Sequence, residues 1–166
     1  MLLGLVVALD RRFDFSQAAL WLFNAWMLLH LLGGMASVGD TRLYDYVLVH
    51  WIGEPYEILK YDQLVHVFCY VAIALLVHEA VSRVVLPARA FAVAVITVLA
   101  ASGIGGLNEI IEFAAVVVVG STGVGGYVNT ALDLLANLLG ALAGAALGYL
   151  RSGWRAARVP GAATGR

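Results

Sequence analysis

Four stretches of about twenty apolar residues limit what this chain can become. They are residues 18–38, residues 62–84, a segment within 90–119, and residues 128–150. Crossing a bilayer takes roughly 20 mostly apolar residues, and each stretch is long enough. A span has no water to hydrogen-bond its backbone, so each is expected as a helix. Composition agrees. Of the 166 residues, 62% are hydrophobic and only 13% are charged, whereas a soluble domain carries about a quarter. The expected fold is all-α: a polytopic transmembrane bundle of four spanning helices forming one domain over residues 18–150.

The flanks set an orientation. Arg11, Arg12, Arg83, Arg89, Arg151, Arg155, Arg158 and Arg166 fall on one side if the four spans alternate, and only Arg42 and Lys60 fall on the other. Basic residues concentrate on the cytoplasmic side. The expectation is therefore a multi-pass protein of the bacterial inner membrane with both termini in the cytoplasm. Residues 1–17 form an apolar stub and a basic turn. The stub is too short to span and lacks the basic start of a signal peptide. It reads as an interfacial stub, or as the end of a longer helix if translation begins upstream. Residues 151–166 form a basic tail, expected to be disordered or to lie along anionic headgroups.

Residues 39–61 then face outward. They are acidic and carry Tyr44, Tyr46, Trp51, Tyr56 and Tyr61, and aromatics of this kind favour the membrane–water boundary. One or two short interfacial helices are expected here, broken near Gly53 and Pro55. The third span is overlong, because thirty helical residues cover roughly 45 Å. It must tilt, project or break, and Ser102-Gly-Ile-Gly-Gly106 is where a break is easiest. That run does not fit the dinucleotide-binding glycine pattern. With a net charge of -1 and no long basic patch, no nucleic-acid partner is expected.

With this orientation the intramembrane polar residues gather at one level. Asp62 and His66 open the second span. Glu109 and Glu112 lie toward the outer end of the third. Asn129, Asp133 and Asn137 occupy the outer half of the fourth, and His30 the outer half of the first. Spacings of three and four put each set on one helix face. On the fourth span the stripe continues inward as Gly140, Gly144 and Gly148, which lets another helix, in this bundle or a partner, approach closely. A charged side chain in mid-membrane costs at least about 2.5–3.5 kcal/mol, so four carboxyls in one pocket need neutralising. Shared protons, His66 or His30 as counter-cation, or a bound divalent ion would each do so. Carboxylates with one or two imidazoles suit Mn, Fe or Zn, and a wetter oxygen-rich arrangement suits Mg or Ca.

Around this cluster plainer readings compete. Asn129 reads as the cap of the fourth span. Asn137 reads equally as ligand or interhelical bond. His30 suits a core histidine bonded to a neighbouring carbonyl, His78 and Glu79 suit snorkelling or pairing with arginines, and Cys69 suits the core. Trp21, Phe23 and Trp26 read as lipid-facing or packing residues. Ser37, Ser102 and Ser121 lack a motif that would place a base beside them.

Three segments carry a resemblance. Tyr61-Asp-Gln-Leu-Val-His-Val-Phe-Cys-Tyr70, Asn108-Glu-Ile-Ile-Glu-Phe113, and the run from Asn129 to Gly144 resemble the VanZ-like membrane proteins and the related YjdF-like inner-membrane proteins. Asp62, His66, Glu109, Asp133, Asn137 and Gly140 match the VanZ-like pattern position by position. The second acid, Glu112, is more like the YjdF type. VanZ-like proteins are associated with resistance to teicoplanin, a cell-wall-directed antibiotic. The resemblance thus implies a cell-envelope protein with a helical-bundle site, and names no reaction.

The reading is an outward-facing polar pocket of Asp62, His66, Glu109, Glu112, Asp133, Asn137, Asn129 and His30. Glu109, Asp133 and His66 are the expected ligands of one divalent ion (Zn, Mn, Fe or Mg). Membrane lipids and a lipid-linked or glycopeptide ligand are the expected partners. Three classes stay open: a ligand-binding envelope protein; a metal-dependent hydrolase or transferase with Glu112 or Asp62 as general base; and a proton or metal carrier or accessory subunit whose glycine face docks a partner helix. Enzymatic activity is left undecided.

Overall fold

A computed structural model describes residues 2–54, 56–84, 90–120 and 126–157, with side chains within 3–152. Pro55, Arg89, Ser121, Arg158, Arg166 and the side chain of Arg155 lie outside the described residues. The helices are α1 (Leu2–Phe13), α2 (Gln17–Met35), α3 (Tyr61–Val84), α4 (Ala90–Val119) and α5 (Tyr127–Ala157). Among the described residues four helices, α2 to α5, are long and apolar enough to cross a membrane. That is the expected span count, with helix ends shifted by a few residues.

The stub is itself a helix. Val6 of α1 is buried, while Leu3, Leu5, Val7 and Leu9 stay exposed. A tight turn then reverses the chain. Asp14 takes a left-handed backbone (φ 47°), and the Phe15 amide donates to the Asp10 carboxylate at 2.9 Å. Ser16 caps α2, with its hydroxyl accepting from the Ala19 amide. Glu79 of α3 accepts from both the Ser16 amide (2.7 Å) and the Ser16 hydroxyl (2.6 Å). Its carboxylate therefore sits at the positive end of α2, and pairs there rather than with the expected arginines.

α3 is the central helix. It packs on α2, α4 and α5, and half of its span is buried inside the bundle, against 22% for α2 and for α4. Large apolar side chains such as Leu99, Leu107, Ile110 and Phe113 of α4 stay exposed, as hydrocarbon requires. Phe23 and Trp26 pack inward while Trp21 is 72% exposed, so only Trp21 faces lipid. Cys69 is buried, as expected. Gly140, Gly144 and Gly148 of α5 lie against α3. A Cβ at Gly144 would fall 2.7 Å from both the Ala74 methyl and the Val71 carbonyl oxygen, and one at Gly140 would strike the Val67 carbonyl oxygen. The glycine stripe is thus filled by this chain's own α3, as expected of a face that looks into the bundle, and the alternative of a partner's helix docking on it is corrected. The reason is steric: the backbones approach too closely to leave that face open.

α4 is continuous through the Ser102–Gly106 run, so the easiest break is not used. Gly105 instead makes room for Asn137, whose Cβ and Nδ2 would lie 3.1 Å from a Cβ there. α5 runs through Arg151 to Ala157, so the start of the basic tail is helical.

Between α2 and α3 the expected interfacial helices are replaced by two small antiparallel ladders. β1 (Ser37–Val38) pairs with β2 (Thr41–Arg42) across Gly39 and Asp40, and β3 (Val47–Ile52) pairs with β4 (Ile58–Lys60). Val47-Leu-Val-His-Trp-Ile52 is rich in β-branched and aromatic residues, which favour strand. Among the described residues of this segment the helical element is a single 3-10 turn, Leu43–Asp45. That turn drops the Tyr44 ring onto Gly33, where a Cβ would lie 2.7 Å from the ring. The Tyr44 hydroxyl donates to the His30 carbonyl oxygen at 2.9 Å. It therefore accepts from His30 Nδ1 at 2.5 Å.

Candidate functional site

α3, α4 and α5 bring eight polar side chains into one cluster. His66 is its hub. His66 Nδ1 lies 2.8 Å from the Asn137 side-chain oxygen and 3.9 Å from Glu109 Oε1, and His66 Nε2 lies 3.5 Å from Asp62 Oδ1. The Asn137 amide nitrogen donates to Glu109 Oε1 at 3.3 Å. Asn129 donates to Asp133 Oδ2 at 2.5 Å and reaches Asp62 Oδ2 at 3.5 Å. Asn108 donates to Glu112 Oε1 at 2.7 Å.

Burial is uneven. Asp133 and Asn137 are each 1% exposed and Glu109 is 6% exposed; Asp62, His66 and Glu112 are half-buried. These are four carboxyl groups around one imidazole, and among the described residues no arginine or lysine bonds to them. The second oxygen of Asp133, Oδ1, is buried with no hydrogen-bond partner among the described residues. A buried carboxylate oxygen left unpaired is costly.

The network assigns the histidine tautomer. Asn137 must turn its NH2 toward Glu109, because a carboxylate only accepts. Its oxygen therefore faces His66, and His66 Nδ1 carries a proton. Nε2 is the nitrogen turned to Asp62, 3.5 Å from its Oδ1; it donates there when the ring is protonated and can coordinate a cation when the ring is neutral. A ring nitrogen fixed by a hydrogen bond at its other nitrogen is the usual setting of a metal-binding histidine.

Among the described residues two groups of side chains offer ligand atoms within 4.8 Å of one another: Asp62, His66 and Asp133; and His66, Glu109 and Glu112. The expected ligand set of Glu109, Asp133 and His66 thus divides between two groups that share the histidine. In the second group the near nitrogen of His66 is the protonated one, which cannot coordinate. The first group has the nitrogen that Asn137 leaves unbonded and the unpaired Asp133 oxygen, so its donors fit a divalent ion better. Glu109 then acts through Asn137, holding it in place.

Two other expected residues stand differently. Asn129 lies inside the first turn of α5 and bonds Asp133 with its side chain, so it clamps carboxylates and does not cap the helix. His30 is held by Tyr44 at Nδ1 and, among the described residues, makes no hydrogen bond to the cluster. Asn108 was not expected as a site residue. Its position four before Glu112, on one helix face, was the available signal. Tyr44 could not be placed from sequence, since its position depends on the turn between the two ladders. Burial raises its phenol above the ordinary tyrosine range, and the negative charge of Asp62 adds to the effect.

No curated protein and no solved structure matches the chain. With four spanning helices and a family match over nearly its whole length, it is an integral membrane protein. The match carries the membrane architecture and neither the VanZ-like nor the YjdF-like name. Residues 1–153 match the family described as predicted membrane protein (DUF2238), and the chain belongs to that family.

Proposed function

We propose that this protein holds a divalent cation between Asp62, His66 and Asp133, and uses it to bind an anionic lipid-linked or cell-wall-related ligand at the outer face of the bacterial inner membrane. The observation that carries this reading is the unpaired, buried Oδ1 of Asp133, grouped with the Asp62 carboxylate and the His66 ring within ligand reach of one another. One nitrogen and several oxygens suit Mn, Fe or Zn, and with added water Mg. When bound, the cation would supply positive charge for a phosphate or carboxylate of the ligand. The arginine distribution supports the outward orientation and cytoplasmic termini. The short motifs around Asp62, Glu109 and Asp133 support a VanZ-like or YjdF-like role in the envelope.

An enzymatic form of the reading has one observation in its favour. Glu112 is half-buried, oriented by Asn108, and outside the favoured metal group. It is the better general-base candidate, since Asp62 belongs to the ligand set. A carrier is disfavoured, because inward of the cluster the α5 face is glycine packed on α3 and offers no polar track.

The test is metal content by mass spectrometry on detergent-purified protein, beside Asp133→Asn, His66→Gln and Glu109→Gln. Near-stoichiometric metal in the wild type, lost in Asp133→Asn and His66→Gln and only weakened in Glu109→Gln, is the expected result. A wild type that takes up no Zn, Mn, Fe or Mg would sink the proposal.

A further inference from the structure

A second polar site lies at the opposite, arginine-bearing end of the bundle. There the α1–α2 turn, the last turns of α3 and the end of α5 enclose a cleft of about 390 Å³, large enough for a small-molecule headgroup. Phe15, Leu75 and Gly148 supply apolar wall. His78, Arg83 and Arg151 line it with donors. The acids beside them are Glu79, with both oxygens taken by Ser16, and Asp14, exposed at the rim.

Two of the donors have no partner among the described residues. His78 is only 5% exposed and its side chain makes no hydrogen bond among the described residues; its Nδ1 is sealed against the bundle, so Nε2 is the nitrogen left to meet a ligand. The ring fits only because residue 148 is glycine, where a Cβ would lie 2.5 Å from its Cγ. Arg151 is exposed and makes no hydrogen bond or ion pair among the described residues. Arg83 spends one nitrogen on the Asp14 carbonyl oxygen at 2.6 Å, which aims its guanidinium from the turn. Guanidinium groups favour phosphate through paired, charge-assisted hydrogen bonds. The cleft lies where the spans of α2, α3 and α5 end.

We propose that this cleft is a phosphate-ester site in which Arg83, Arg151 and His78 hold the phosphate, the apolar wall taking the adjoining carbon chain. It is independent of the metal reading. A lipid headgroup and a soluble phosphate share this chemistry, and the probes below separate them.

The experiment uses the full chain in detergent. Binding of dihexanoyl phosphatidylglycerol, of inorganic phosphate and of uncharged dihexanoylglycerol is titrated calorimetrically against wild type, Arg151→Gln, Arg151→Lys and Arg83→Gln. Expected is saturable binding of the phospholipid, weakened about tenfold or more by Arg151→Gln with an unchanged unfolding temperature, and partly restored by Arg151→Lys. Arg83→Gln is read the same way. If inorganic phosphate binds as tightly with the same arginine dependence, the site stands and its ligand is soluble. Equal binding of dihexanoylglycerol, no saturable binding of either phosphate probe, or phosphate binding unaffected by both arginine variants would overturn the proposal.

Discussion

His66 and Asn137, 71 positions apart, are joined ring nitrogen to amide oxygen at 2.8 Å. The other end of the same amide donates to Glu109. One side chain on α5 therefore ties α3 to α4 and fixes which imidazole nitrogen faces Asp62. Asn137→Leu should leave two buried groups unpaired and destabilise the protein by about 1–3 kcal/mol. Thermal unfolding in detergent would show this as a lowered midpoint, with weakened metal retention in the same preparation. An unchanged midpoint would mean that the bridge contributes nothing.

Asp133 leads to a prediction about metal removal. A cation bound at a free concentration one hundred times its dissociation constant stabilises the folded state by about 2.7 kcal/mol. Chelation with EDTA should lower the unfolding midpoint of the wild type and leave that of Asp133→Asn in place. If both proteins fall together, the stabilising ion sits elsewhere.

The glycines of α5 and α4 should respond in opposite directions. Gly144→Ala places a methyl group 2.7 Å from a backbone oxygen of α3, and overpacking of this kind costs about 1–3 kcal/mol. Gly103 has nothing within 4 Å of its would-be Cβ, and Gly103→Ala should be neutral or stabilising by about 0.5–1 kcal/mol. Unfolding midpoints of the two variants decide it. A harmless Gly144→Ala would mean that α3 and α5 do not pack this closely.

Tyr44 should give the fold a pH dependence at the alkaline end. In the unfolded chain its phenol ionises near pH 10, whereas burial in the folded protein holds the proton to higher pH. The folded state binds the extra proton, so this contribution is complete below pH ~10 and is lost as pH rises through the folded value. Tyr44→Phe lacks the titration. The stability gap between wild type and Tyr44→Phe should narrow above pH ~10, and parallel unfolding curves across that range would refute it.

The span count was legible because hydrocarbon imposes a length and a composition that the chain displays openly. The polar cluster was legible for the same reason, since carboxylates stand out in an apolar run and their spacing marks a face. Residues 39–61 were misread because aromatic content signals a membrane interface without choosing strand or helix. There the β-branched run Val47–Ile52 and the turn at Gly39 prevailed.

By itself the sequence determined the four helices, their alternation and the level at which Asp62, His66, Glu109, Glu112, Asp133 and Asn137 would meet. These follow from local hydrophobicity and helical period, which each residue carries wherever it is placed. Only the tertiary structure decided which carboxylate pairs with which neighbour, which nitrogen of His66 faces Asn137, and that the glycine stripe belongs to α3. Those depend on contacts of a few ångströms between helices far apart in sequence. A rotation of one helix would exchange the partners without changing the spacing along the chain.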